Sequence, residues 1–200
     1  MDERESRPLR EADVAADPLD QFRTWFREAE GAVDTAEAVA LATATQKGTP
    51  SARMVLLKRA DERGFAFFSG YDSRKGRELA ANPNAALLFY WHLLGRQVRI
   101  EGVVERLPAD ESDAYFESRP SASRLSAAAS PQSEVVGSRE ELEARVRELE
   151  GADVRRPESW GGFLLVPHTY EFWQHRENRL HDRLRYRRSG ETWVLERLAP

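Results

Sequence analysis

AVALATATQKGTPSARMVLLKR (38–59) consists of two apolar, β-rich runs separated by Lys47-Gly48. Two such runs joined by a short glycine-containing segment predict a hairpin. The second run ends in RMVLLK, with Arg53 and Lys58 at the two ends of an apolar strand. They differ in parity, so a regular strand aims them to different sides. Sharing one site requires a bulge or a ligand with two distinct parts.

Around this hairpin the chain alternates strand and helix signals. Before it, Asp17-Pro18 is a capping carboxylate followed by proline at the first helical position, and Leu19, Phe22, Trp25 or Phe26, and Ala29 follow at helical spacing. This predicts an amphipathic helix over 18–30. After it, GFAFFSG (64–70) reads as a strand and SRKGRELAANP (73–83) as a short helix with Ser73 as its cap and Asn82-Pro83 as its stop. AALLFYWHLL and RQVRIEGVVERL are two more strands. Pro108 opens a helix carrying Tyr115 and Phe116 that ends at Arg119-Pro120, and SASRLSAAASPQSEVV suggests a short helix and a loop. Ser138-Arg-Glu-Glu141 is a capping box for a further helix. GGFLLVP, TYEFWQH, LHDRLRYRR and TWVLERL then read as four strands.

The order is a helix, five strands, helices, then four strands, a mainly β fold with α insertions. It suggests a closed or partly closed barrel. Side chains fill the interior of a small barrel, so a ligand is expected on its outside or at a subunit interface. Residues 17–200 are expected to form one domain. Residues 1–16 have few large apolar side chains and are expected to form a mobile arm.

Composition removes several functions. With no cysteine there is no disulfide framework, thiolate zinc site or thiol nucleophile. No apolar run approaches a membrane span and no signal peptide is evident, so the expectation is a soluble cytoplasmic protein with no membrane partner. A formal net charge of −4 argues against nucleic-acid binding through a strongly basic field, although Arg183, Arg185 and Arg187 alternate on one strand face. His168, His175 and His181 lack a familiar ligand spacing, and the first two differ in parity, so no metal is expected.

A phosphorylated small molecule fits more of the chain. Ser73, Arg74 and Lys75 open a helix, where free amides and the helix dipole favour an anion. Tyr115 and Arg119 lie four apart on one helix face, with Ser123 at the expected start of the next helix. Together these stretches suggest two anion sites.

RMVLLK, FFSGYDSRK, RQVRIEG, YFESRP, SPQS, SWGGF, EFWQ and RLHDR occur in this order, and the chain ends ERLAP. From about Asp17 onward this resembles the pyridoxine/pyridoxamine 5′-phosphate oxidase family. The resemblance implies a Greek-key, FMN-binding split β-barrel that is homodimeric, with FMN at the subunit interface. It implies oxidation of pyridoxamine or pyridoxine 5′-phosphate to pyridoxal 5′-phosphate, with O2 reduced to H2O2. The alternatives are a related flavin oxidase of the phenazine-pathway type, and a non-catalytic flavin- or haem-binding barrel.

The implied flavin residues are Arg53, Met54, Val55, Leu56, Leu57, Lys58, Phe68, Ser69, Arg74, Lys75, Gln97, Gln132, Ser133, Trp173 and Arg183. Lys58, Tyr115, Arg119 and Ser123 are implied to hold the substrate phosphate. Arg179, Leu180 and His181 are implied to bind the pyridine ring, with Arg179 and His181 as the catalytic pair. Their equal parity would let one strand present both to the ligand. Four departures stand out: Phe68 where tyrosine is common, His175-Arg176 after EFWQ where glycine is common, Ala127-Ala128 in place of a Gly-Ala-Trp stretch, and an arm lacking an Arg-plus-Tyr element.

Overall fold

The computed structural model describes residues 8–200. Helix α1 (Pro18–Glu30) starts where Asp17 accepts the Leu19 amide at 2.7 Å. Its apolar stripe, Leu19, Phe22, Trp25 and Ala29, is buried. Phe22 meets Phe65 edge-on at 4.9 Å and Trp25 meets Phe172 at 5.2 Å, so α1 packs against the sheet's inner face.

The predicted hairpin forms from β1 (Ala38–Ala44) and β2 (Pro50–Leu56), paired from Ala38↔Leu56 to Ala44↔Pro50. Its turn needs Gly48 at φ 83°, where an ordinary side chain is strained. Then follow β3 (Arg59–Asp61), β4 (Gly64–Gly70), α2 (Arg74–Ala81), β5 (Asn84–Trp91) and β6 (Arg96–Arg106). The helices α3 (Ala109–Ser118), α4 (Ser121–Ala129) and α5 (Arg139–Glu148) precede β7 (Trp160–Gln174), β8 (Asp182–Ser189) and β9 (Thr192–Arg197). The short β3 has no counterpart in the sequence expectation.

The strands run β2-β1-β5-β6-β7-β4-β3, with β8 and β9 branching from β7. The expected pair GGFLLVP and TYEFWQH is one strand, β7. Pro167 reads as a break, but a bulge absorbs it: Gly102 faces Pro167 and Glu101 faces Thr169, leaving His168 as the extra residue. The extra residue also removes the simple parity count between His168 and His175. β7 pairs through 163–174 with β6, through 160–165 with β4, and through 169–174 with β8. This change of neighbour splits the barrel.

Phe65, Phe89, Ile100, Phe172, Leu184 and Tyr186 fill the interior. On the outer face one register row runs Met54–Ala40–Leu88–Arg99–Glu171–Arg185–Glu196. The next contains Tyr90–Gln97–Trp173–Arg183. This face is apolar at β2 and charged at β8, and Met54 and Tyr90 are 63% and 62% exposed.

Of the expected arm, residues 1–7 lie outside the described residues, and the described part packs on the body of the fold. Leu9 is buried, with its amide on Asp182 at 3.1 Å and its carbonyl accepting from Arg197 at 2.8 Å. Tyr186 donates to the Ala15 carbonyl at 2.6 Å. Among the described residues no helix is long and apolar enough to cross a membrane.

Candidate functional site

β2, β4, the start of α2, α3 and the 130–134 segment enclose a cleft of about 980 Å³. Of the residues implied above, it gathers Arg53, Met54, Val55, Leu56, Lys58, Phe68, Ser69, Arg74, Lys75, Tyr115, Arg119, Gln132 and Ser133. The parity conflict between Arg53 and Lys58 disappears because β2 ends at Leu56. Leu57 turns into the core, and Lys58 then donates its amide to Ala66 in β4 at 2.8 Å.

Lys75 anchors one part of the cleft. It is buried, with Nζ 2.9 Å from Ser69 Oγ and 3.3 Å from Ser73 Oγ. Among the described residues no carboxylate lies within ion-pair distance of it. Burial, reinforced by the Arg53 charge, lowers its pKa to about 8. Its cationic neighbours do have a carboxylate, since Glu78 binds Arg74 at 2.9 Å and Arg53 at 3.1 Å. Thr43 and Ser51 donate to the same Glu78 at 2.5 Å. Burial pushes the Glu78 carboxyl up, but the donors Ser51, Thr43, Arg74 and Arg53 outweigh it and hold its pKa at about 2. Glu78 was missed in the sequence, where only its i,i+4 spacing from Arg74 could have revealed it.

Gln132 closes this end, its Oε1 accepting from Ser69 Oγ and the Gly70 amide, both at 3.0 Å. Ser133 beside it sits at φ 73°, a left-handed conformation that costs a non-glycine residue about 1 kcal/mol or more. Gly76 allows the α2 start to lie close to the preceding chain: a Cβ there would sit 2.0 Å from the Tyr71 carbonyl oxygen. Gly76→Ala is therefore expected to destabilise the fold by about 1–3 kcal/mol, read as a lower thermal unfolding midpoint.

Arg119 anchors a second part of the cleft. Its guanidinium lies over the Trp160 ring at 4.8 Å, and its Nη1 is buried without a hydrogen-bond partner. Burial lowers its pKa, partly countered by Tyr115. Tyr115 stacks on Phe68 at 3.8 Å and lies nearly parallel to Trp160 at 6.2 Å. Trp160, buried and absent from the expectation, is thus the floor for both Tyr115 and Arg119. Ser123 lies in the first turn of α4 but does not line the cleft.

Gln97, Trp173, Arg179, Leu180, His181 and Arg183 are also outside it. Gln97, Trp173 and Arg183 share a row across β6, β7 and β8. Arg183 is held by Glu171 at 2.8 Å and by the Ala199 carbonyl at 2.9 Å. The expectation that Arg179 and His181 share a strand face is corrected. Glu177–Arg179 form a 3-10 turn, Asn178 and Arg179 have φ of 57° and 60°, and β8 starts only at Asp182. The Arg176 amide donates to His181 Nδ1 at 3.1 Å, which leaves Nε2 to carry the hydrogen of the neutral ring. The ring also packs on Trp173 at 4.6 Å and His175 at 5.1 Å.

From β2 to β8 is five strand spacings, roughly 24 Å along the sheet. One chain therefore carries two separate clusters, the cleft beside β2 and β4 and the group on β6, β7 and β8.

A mainly β split barrel with a cation-lined cleft at its β2 edge is the class that this fold and site define. Residues 26–152 match the family described as pyridoxamine 5′-phosphate oxidase, and residues 160–200 match the pyridoxine 5′-phosphate oxidase C-terminal dimerisation region. The chain is 57% identical to a pyridoxine/pyridoxamine 5′-phosphate oxidase of Bordetella avium, covering 96% of this chain and 93% of that one. Identity to the protein of the same name from Thermosynechococcus vestitus is also 57%, with the same coverages. Among solved structures, PhzG from Burkholderia lata in complex with tetrahydrophenazine-1-carboxylic acid superposes with a TM-score of 0.92. It is 36% identical, and the match covers 97% of this chain and 98% of that one. The chain belongs to the pyridoxamine 5′-phosphate oxidase family.

Proposed function

We propose that this protein is an FMN-dependent oxidase converting pyridoxamine 5′-phosphate or pyridoxine 5′-phosphate to pyridoxal 5′-phosphate. The observation that carries this reading is a pair of cations in one cleft, the buried Lys75 and the half-buried Arg119 with its buried Nη1. Neither has an anionic partner among the described residues, and each lies among aromatic or hydroxyl groups suited to a phosphorylated ligand.

Lys75, Arg74, Arg53, Ser69, Gln132 and Ser133 hold the FMN phosphate and polar edge, with Met54, Val55, Leu56 and Phe68 beside the ring. Lys58, Tyr115 and Arg119 hold the substrate phosphate, with Ser123 joining from the first turn of α4. FMN bound there would supply the redox chemistry, a hydride acceptor for the substrate C4′ carbon whose electrons dioxygen would take up as hydrogen peroxide. The protein's share is placement, with the phosphate as the remote handle whose binding energy orients the ring. From the amine, an imine is released that water hydrolyses to the aldehyde and ammonia. From the alcohol, the aldehyde forms directly.

The second cluster completes the site from a partner subunit. Gln97, Trp173 and Arg183 contact the flavin, and Arg179, Leu180 and His181 cover the pyridine ring. The separation of the clusters in one chain, the exposed apolar Met54, Leu56 and Tyr90 of the outer face and the matched dimerisation region all support a homodimer.

The test is aerobic turnover after reconstitution with FMN. One peroxide is expected per pyridoxal 5′-phosphate formed from either substrate. Failure to retain FMN would overturn the reading. The likeness to PhzG supports a second reading, oxidation of a reduced phenazine carboxylate, and turnover of that compound alone would select it.

A further inference from the structure

The substrate-phosphate residues assigned above come from two separate parts of the chain. Lys58 follows β2, whereas Tyr115 and Arg119 belong to α3 and its C-terminal boundary. An ion cluster joins these parts. Arg59, next to Lys58, donates Nη1 to Glu111 Oε2 at 2.7 Å. Arg63, in the β3–β4 turn, grips the same carboxylate with both Nη atoms, at 2.8 Å and 2.9 Å. Asp61 lies 2.8 Å from Arg59 Nε and 3.7 Å from Arg63 Nε, holding the two guanidinium groups together.

Glu111 precedes Tyr115 by four residues, one helical turn along the same face. The rest of α3 is fastened to β7. Ser112, fully buried, accepts the Gly162 amide at 3.1 Å, and Arg156 links Asp113 at 2.6 Å to the Trp160 carbonyl at 2.7 Å. The Glu111 cluster is the ionic tie from α3 to the segment beginning at Lys58. Hydrogen bonds from Arg63 and then Arg59 hold the Glu111 carboxyl at about 2, so it stays ionised at ordinary assay pH.

Resting on the assignment of Lys58, Tyr115 and Arg119 to the substrate phosphate, we propose that Glu111 is a positioning residue. Through Arg59 and Arg63 it sets the spacing between Lys58 and the Tyr115–Arg119 face of α3. An isolated surface ion pair does little, but this carboxylate is bound on both oxygens and shared by two arginines. Small displacements of groups that orient a substrate are costly.

The test compares Glu111→Gln and Arg63→Gln with Glu143→Gln, which removes only an exposed pair on α5. Inorganic phosphate serves as competitive inhibitor, and unphosphorylated pyridoxine as the handle-free substrate. For both clamp variants the KM of pyridoxine 5′-phosphate and the Ki of phosphate are expected to rise about 3–10-fold, with kcat within about twofold. FMN affinity and kcat/KM for pyridoxine should stay unchanged, and Glu143→Gln should match the parent. A lower melting temperature with unchanged phosphate Ki would overturn the proposal, as would equal losses with and without the substrate phosphate. If Arg119→Ala leaves the phosphate Ki unaltered, the phosphate assignment itself fails and the proposal falls with it.

Discussion

Lys75→Met is expected to weaken FMN binding by roughly 30-fold to several-thousand-fold, because removing one partner of a desolvated charge pair costs about 2–5 kcal/mol. The lower end is the better guide, since Arg74 and Arg53 still face the same region. Fluorescence quenching during FMN titration of the apoprotein gives the number, and an affinity within threefold of the parent would remove Lys75 from the phosphate site.

The same variant has an opposite effect on the free protein. Burial lowers the folded pKa of Lys75 to about 8 from an ordinary value near 10.5. Between those values the unfolded chain binds more protons, so linkage makes the apoprotein gain stability from this group as pH rises. Below about 8 the folded state carries an unpaired buried charge, and Lys75→Met should raise the apoprotein melting temperature there. FMN binding runs the other way. Phosphate favours the protonated lysine, so parent affinity should fall above pH 8 by at most about tenfold per unit. The Lys75→Met variant should lack that slope.

Arg119→Ala is expected to lower kcat/KM for pyridoxine 5′-phosphate by about 10²-fold, mainly through KM, with FMN still bound. The guanidinium is desolvated over Trp160 with Nη1 unpartnered, so the site is organised for an anion before one arrives. Steady-state kinetics with the flavin spectrum recorded in parallel decide it. Lost flavin with an unchanged KM would mean that the two phosphate sites are reversed.

Much of the local structure was legible. Asp17-Pro18, Ser73 and Ser138 each cap a helix at the expected position, because capping depends on residues within one turn. β7 was not legible as one strand, because Pro167 carries a break signal that only the bulge opposite Gly102 neutralises. A Cβ on Gly102 would lie 2.2 Å from the Val166 carbonyl oxygen, so the bulge needs a glycine on the neighbouring strand. Arg179 and His181 were misplaced for a similar reason. Parity presumes a strand, and the chain there makes a left-handed turn closed by the Arg176 amide.

The candidate site divides along the same line. Arg53, Lys58, Arg74, Lys75, Tyr115 and Arg119 carry their chemistry in short motifs, and that chemistry was readable from residue type and spacing. Glu78, Trp160 and Glu111 were not singled out, since their partners are supplied by other elements. The sequence by itself determined most of the elements, the cationic groups and the family resemblance, all set by neighbours a few residues apart. Only the tertiary structure decided which cations are already paired, that Leu57 belongs to the core, and that Trp173 and Arg183 lie four and five strand spacings from β2, roughly 19 and 24 Å along the sheet. Pairing and burial depend on contacts between distant segments, and strand pairing is what sets those distances.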